Sequence, residues 1–232
     1  MLNKSPQIKK FDILKQMKNS KLKNKKVFIF DWSGTLSDDR IPVQTAFNRV
    51  AIDLGLKPTK DLNAWLKKTA KPIEVDYSNQ LLSRLSPAEI RTLYFQHFTI
   101  VSHERIKPTM YNDVIKILDF LKNNQKKLFV LSSHPHKNLL KEARGYKIEK
   151  YFGKIKGGIF NKTKGLLETY DEMNINVNET VYIGDMIGDI RAAKETKTTS
   201  IALTRGYHSK KILLLENPDI LINNLSELES LM

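Results

Sequence analysis

Four consecutive apolar residues at positions 27–30 run straight into Asp31, a length and composition that predict a strand buried on both faces of a parallel sheet. The pattern recurs at 128–131, which ends at Ser132, at 181–183, which ends at Gly184-Asp185, and at 199–203, which ends at Thr204-Arg205. Between these runs the apolar period changes to that of a helix. Residues 111–123 place Val114, Ile115, Ile117, Leu118 and Leu121 on one side, and 137–145 and 164–173 read the same way. A short strand at 219–222 and a helix at 225–231 follow. Strands alternating with helices predict parallel βαβ units, hence an α/β fold with a Rossmann-like three-layer parallel sheet core.

Residues 43–107 break the rhythm. They hold helix-like stretches at 43–54, 62–69, 78–85 and 87–101 and no strand, so an all-helical cap inserted into the core is expected. Pro42 and Pro108 stand near its two edges, where rigid hinge positions are expected. The expected division is a basic N-terminal extension over 1–19, a catalytic core over 20–42 and 108–232, and a helical cap over 43–107.

Composition narrows the setting. The 232 residues are 41% hydrophobic and 28% charged, enough apolar matter to bury a core. No stretch of about 18 apolar residues is available to cross a membrane. Residues 1–26 carry nine lysines among isolated apolar residues and lack a continuous apolar signal core, so a cytoplasmic location is expected. The absence of cysteine excludes disulfides, thiolate metal sites and a cysteine nucleophile. A net charge of +14 favours anionic partners. A small phosphorylated substrate comes first among these. Nucleic acid is the weaker alternative, because the lysines are dispersed and few aromatics lie among them.

The candidate chemistry sits where the strands end. Asp31 leads into the turn Trp32-Ser33-Gly34-Thr35, and Gly184-Asp185-Met186-Ile187-Gly188-Asp189 places two more carboxylates after another apolar strand. In an open parallel sheet both strand ends converge on one crevice. Carboxylates gathered there repel one another and demand a cation, and hard oxygen ligands suit Mg²⁺. A hydroxyl from Ser132 and a lysine ammonium would neutralise the remaining oxygens of a bound phosphoryl group.

The segments FDWSGTLSDD, LFVLSS, FNKTKGLL and YIGDMIGD, in this order, resemble the four motifs of the haloacid dehalogenase superfamily, over roughly residues 25–232. The position of the cap resembles that of the phosphoglycolate-phosphatase-like group. The resemblance implies a Mg²⁺-dependent phosphatase with Asp31 as the nucleophile that forms an aspartyl-phosphate. It implies that Asp31, the backbone carbonyl of Ser33 and Asp185 bind Mg²⁺, with Asp189 supporting them. Gly34, Thr35, Ser132 and Ser133 would hold the substrate, and a lysine of the third motif its phosphate. Lys162 is favoured for that role because it follows a glycine-containing loop, with Lys164 the alternative.

The chain departs from the family at Ser33, where these phosphatases usually carry a second aspartate that protonates the leaving group. A serine hydroxyl titrates too far from neutrality to replace it well. His134 or His136 could substitute, or the chain could be a catalytically weak module that binds a phospho-ligand or nucleic acid. DWSGT is also similar to the DWAGT of phosphonoacetaldehyde hydrolases, C–P bond hydrolases that use a cap lysine. Lys67, Lys68 and Lys71 are the lysines available for that reading.

Overall fold

The computed structural model describes residues 21–68, 73–104 and 106–232. The expected basic extension over 1–19 and Lys71 therefore lie outside the described residues. The strands are β1 (Val27–Phe30), β2 (Ser37–Asp38), β3 (Thr109–Met110), β4 (Lys127–Leu131), β5 (Lys154–Lys156), β6 (Thr180–Gly184), β7 (Thr199–Leu203) and β8 (Ile220–Ile222). Six of them form one parallel sheet in the order β5-β4-β1-β6-β7-β8, and β2 pairs with β3 antiparallel. The helices are α1 (Arg40–Asp53), α2 (Leu62–Lys68), α3 (Ile73–Gln80), α4 (Pro87–His103), α5 (Val114–Asn123), α6 (His136–Gly145), α7 (Lys162–Met173), α8 (Ile187–Glu195) and α9 (Lys210–Leu215).

The sheet is buried on both faces, as its nearly unbroken apolar strands require. Phe28, Phe30, Leu128, Val130, Val181 and Ile183 pack on one side with Val114, Ile117, Leu118 and Leu121 of α5. Ile29, Phe129, Leu131 and Tyr182 pack on the other with Leu166, Tyr170, Ala192 and Ala193. Central β1 lies between β4 and β6 with Phe30 level with Val130 and Ile183. That register brings Asp31, Ser132 and Asp185 out at neighbouring strand ends, the usual place for a site in such a sheet.

The helices α1 to α4 fall between β2 and β3 and have their own aromatic core of Phe47, Trp65, Tyr77, Tyr94 and Phe98, which also takes in Tyr207 from the sheet side. The start of α4 is written locally. Ser86 and Glu89 form a reciprocal capping box and Pro87 takes the first helical position, where its missing N–H costs nothing.

Several boundaries differ from the sequence reading. Helix α1 begins at Arg40, and Pro42 sits within its first turn, where no N–H partner is needed. The helix expected at 78–85 runs instead over Ile73–Gln80, and Leu82 and Ser83 adopt positive φ beyond it. Residues 225–231 form a 3₁₀ helix. Edge strand β5 and the β2–β3 pair are too short to have left an apolar run. Among the described residues, no helix is long and apolar enough to cross a membrane.

Candidate active site at the strand ends

Asp31, Asp185 and Asp189 are buried and offer carboxylate oxygens within 4.8 Å of one another. Asp31 caps the central strand and its N–H donates to Ile183 O at 2.8 Å. Asp185 accepts from the Tyr207 N–H at 2.6 Å and the Thr35 hydroxyl at 3.1 Å. Asp189 accepts from the Met186 N–H and the Tyr182 hydroxyl, both at 3.0 Å. The backbone crowds in around this cluster. A Cβ on Gly34 would lie 2.3 Å from Asp185 Oδ2 and one on Gly206 2.1 Å from it, and Gly34 also has φ near +75°, so glycine is required there twice over.

Lys162, not Lys164, reaches the carboxylates. Asn161 caps α7 by accepting the Lys164 N–H, which starts the helix at Lys162. The Lys162 ammonium then donates to Asp31 Oδ1 at 2.6 Å, Leu131 O at 3.0 Å and the Tyr182 hydroxyl at 3.0 Å, and lies 3.5 Å from Asp189. Lys164 is 73% exposed beside Glu168.

The electrostatics follow from burial. Desolvation pushes Asp31 above the ordinary carboxylate range, with Lys162 opposing and Asp189 adding to the rise. Desolvation and then repulsion from Asp31 and Asp189 push Asp185 well above it. For Lys162 burial works against the charge, but Asp31 and Asp189 more than offset it and hold the ammonium above its usual value. Three carboxylates facing one ammonium leave uncompensated negative charge among hard oxygen donors, which fits a divalent cation such as Mg²⁺.

The other expected residues divide. Ser133 lines the cavity above Asp31, whereas Ser132 is buried and its hydroxyl oxygen accepts the His134 N–H. Thr35 is fully buried with its hydroxyl donating to Asp185, its N–H to Trp32 O and its carbonyl accepting from Arg205, so it shapes the turn rather than touching a substrate. Trp32 faces away, giving its Nε1–H to Glu142 and stacking on Tyr146. His134 is buried 3.1 Å from Glu142, and although burial opposes its charge the Glu142 carboxylate raises it above the usual histidine range. Among the described lysines of the helical segment, Lys67 is exposed and does not line the cavity.

Sequence reasoning missed Asp39. It is fully buried on the same cavity as Asp31 and Ser33, accepts from the Tyr207 hydroxyl at 2.9 Å, and has one oxygen, Oδ2, without a well-formed hydrogen bond among the described residues. Desolvation pushes its carboxyl up to about 6, although the nearby Ser33 hydroxyl favours the charged form. The signal was the second aspartate in Ser37-Asp38-Asp39, which an exposed turn would equally explain. Tyr182 was read only as a strand residue, although a hydroxyl in an otherwise aliphatic buried strand needs a polar partner.

Residues 28–203 match the family model described as haloacid dehalogenase-like hydrolase. A protein named phosphoglycolate phosphatase from Colwellia psychrerythraea is 28% identical over 222 residues, which cover 90% of this chain and 97% of that protein. One of the same name from Agrobacterium fabrum is 26% identical over 210 residues, covering 86% and 89%. Among solved structures, a haloacid dehalogenase-like hydrolase from Streptococcus pneumoniae superposes with a TM-score of 0.76 at 21% identity, covering 90% of this chain and 98% of that one.

Proposed function

The chain belongs to the haloacid dehalogenase-like hydrolases, phosphatases among them, and from that premise we propose that it hydrolyses the phosphate ester of a small metabolite through an aspartyl-phosphate on Asp31. The observation that carries this reading is the buried Asp31–Lys162 pair, 2.6 Å apart and beside two further carboxylates. In this reading Asp31, the Ser33 carbonyl and Asp185 would hold Mg²⁺, with Asp189 supporting them. When bound, the cation would supply positive charge to offset that of the phosphoryl group.

Asp31 attacks phosphorus, the bond from phosphorus to the ester oxygen breaks, and the alkoxide leaves with a proton. Lys162, the Ser132 hydroxyl and Ser133 hold the phosphoryl oxygens through charge-assisted and neutral hydrogen bonds. Water then attacks the same phosphorus and gives up a proton to the carboxylate that protonated the leaving oxygen, the bond to Asp31 breaks, and inorganic phosphate departs. Ser33 and the adjoining Asp39 carboxyl serve the leaving oxygen in place of the family's second aspartate. Helices α1 to α4 act as the cap that shuts bulk water out of the cavity.

The test is phosphate release from a set of phosphorylated metabolites with Mg²⁺, repeated after chelation and in Asp31→Asn. Release should fall by about 10⁴-fold or more in both, because an amide is neither a nucleophile nor an anionic ligand. Undiminished release in Asp31→Asn would rule the mechanism out.

A further inference from the structure

The cavity of about 190 Å³ that opens onto Asp31 is walled on the helical side by the rings of Phe47, Trp65 and Tyr94 and on the other by Phe160, from the loop before α7. Two donors interrupt this apolar wall. Arg91, on α4, gives its Nε–H to Glu74 Oε1 at 2.9 Å, and its guanidinium carbon lies over the Phe160 ring, 4.4 Å from the centroid. These contacts hold the guanidinium in one orientation, and among the described residues its two Nη groups donate no hydrogen bond. Trp65 is 1% exposed, and among the described residues its buried Nε1–H has no acceptor. An unpaired buried N–H is costly enough that native folds rarely keep one, so an acceptor brought in from outside is the natural complement.

We propose that this end of the cavity binds an anionic group on the leaving-group half of the substrate, a carboxylate or a second phosphate, and that Arg91 selects for it. The proposal rests on the phosphatase reading. With Nε held by Glu74, the paired Nη edge presents the fork geometry that a carboxylate or phosphate accepts in bidentate fashion. Trp65 supplies a further donor, and Glu74 keeps the empty site from carrying an uncompensated cation. The aromatic walls lower the local dielectric and so strengthen the ion pair. A substrate with a neutral leaving group would leave the Trp65 Nε1–H unpaired and the Arg91 Nη groups to water, and so forgo the ion pair that an anionic one gains.

The experiment compares 2-phosphoglycolate, propane-1,3-diol bisphosphate and the neutral analogue 2-hydroxyethyl phosphate on the full chain with Mg²⁺. One or both anionic esters should show a lower KM than the neutral one, and which of the two does so identifies the group. Arg91→Gln should raise that KM about 10- to 100-fold, change kcat less than about threefold, and leave 2-hydroxyethyl phosphate unaffected. Arg91→Lys should recover only part of the loss, and Trp65→Phe should raise the KM by a smaller factor. No preference for an anionic ester in the native chain, or equal losses on all three esters in Arg91→Gln, would overturn the proposal. If no ester is turned over, the phosphatase reading fails, and calorimetric titration of the three compounds decides the site by itself. Equal affinities would then overturn it.

Discussion

Asp31, Asp185 and Asp189 are held by backbone N–H groups, hydroxyls and Lys162 at the ends of strands, whereas Phe47, Trp65 and Tyr94 across the cavity are held by ring packing alone, Phe47 stacking on Tyr94 at 4.3 Å. On the sheet side each of the three carboxylates has a partner in the loops that follow the strands or on α7, namely Thr35, Met186, Tyr207 and Lys162. On the helical side Trp65 Nε1 is buried without a hydrogen-bond partner among the described residues, and so is Asp39 Oδ2 where the two walls meet. An apolar wall of this kind tolerates changes of shape far better than a buried charge network does. The contrast teaches that one wall is built to repeat a reaction and the other to choose what undergoes it.

Three measurements would break or sharpen the contrast, beyond those given above for Asp31 and Arg91. The largest effect is expected on the sheet side. Lys162→Gln removes the one ammonium facing three carboxylates and should lower turnover about 10²–10³-fold, while Lys164→Gln, at a position 73% exposed, should change it less than twofold. Steady-state assays of the two variants side by side would show it, and similar losses would mean that the register argument misplaces the phosphate-binding lysine.

Asp39 lies at the boundary between the two walls. Asp39→Asn should slow alkyl phosphates by about 10²-fold and aryl phosphates much less, because an aryloxide leaves without needing a proton. It should also stabilise the metal-free protein. With the carboxyl raised from 3.8 to about 6, the folded chain binds the extra proton between those values, so stability falls as pH rises through that window. The amide has no such cost, a gain of about 3 kcal/mol at pH 7.5 that vanishes near pH 3.5. Urea denaturation at both pH values checks the sign. If instead His134→Ala, and not Asp39→Asn, abolishes alkyl-ester turnover, the proton comes from the histidine.

The smallest effect is thermal. Asp31 and Asp185 both titrate above the ordinary carboxylate range, so the metal-free fold loses stability as pH rises past that range and both become charged. A divalent cation needs the charged forms and should therefore raise Tm more at pH 8 than at pH 5.5, by about 2–4 °C. Calorimetric scans with Mg²⁺ or chelator test this, and a larger shift at the acid end would disconnect the carboxylates from the metal.

The apolar runs by themselves determined the sheet. Strands β1 and β7 fall at their expected residues and β4 and β6 within one of them, because strands buried on both faces need continuous apolar sequence, a local property. Asp31 and Asp185 were legible for the same reason, since one ends such a run and the other follows it after a single glycine, and Asp189 belongs to the turn that comes next. Tertiary structure alone decided what depends on distances between segments far apart in the chain. Lys162 is favoured over Lys164 by its place after a glycine-containing loop, but only the packing of α7 on the sheet brings its ammonium to Asp31, 131 residues away. Asp39 reads as a turn residue until α1 carries it beneath Tyr207, 168 residues on, where loss of water raises its carboxyl. Arg91 and Trp65 look like ordinary members of amphipathic helices, and only the packing of those helices brings both to the cavity and leaves the Trp65 Nε1–H without a partner among the described residues. Periodicity records which face of an element is buried. It carries no record of which buried atoms are left without a partner, because that is settled by everything packed around them at once.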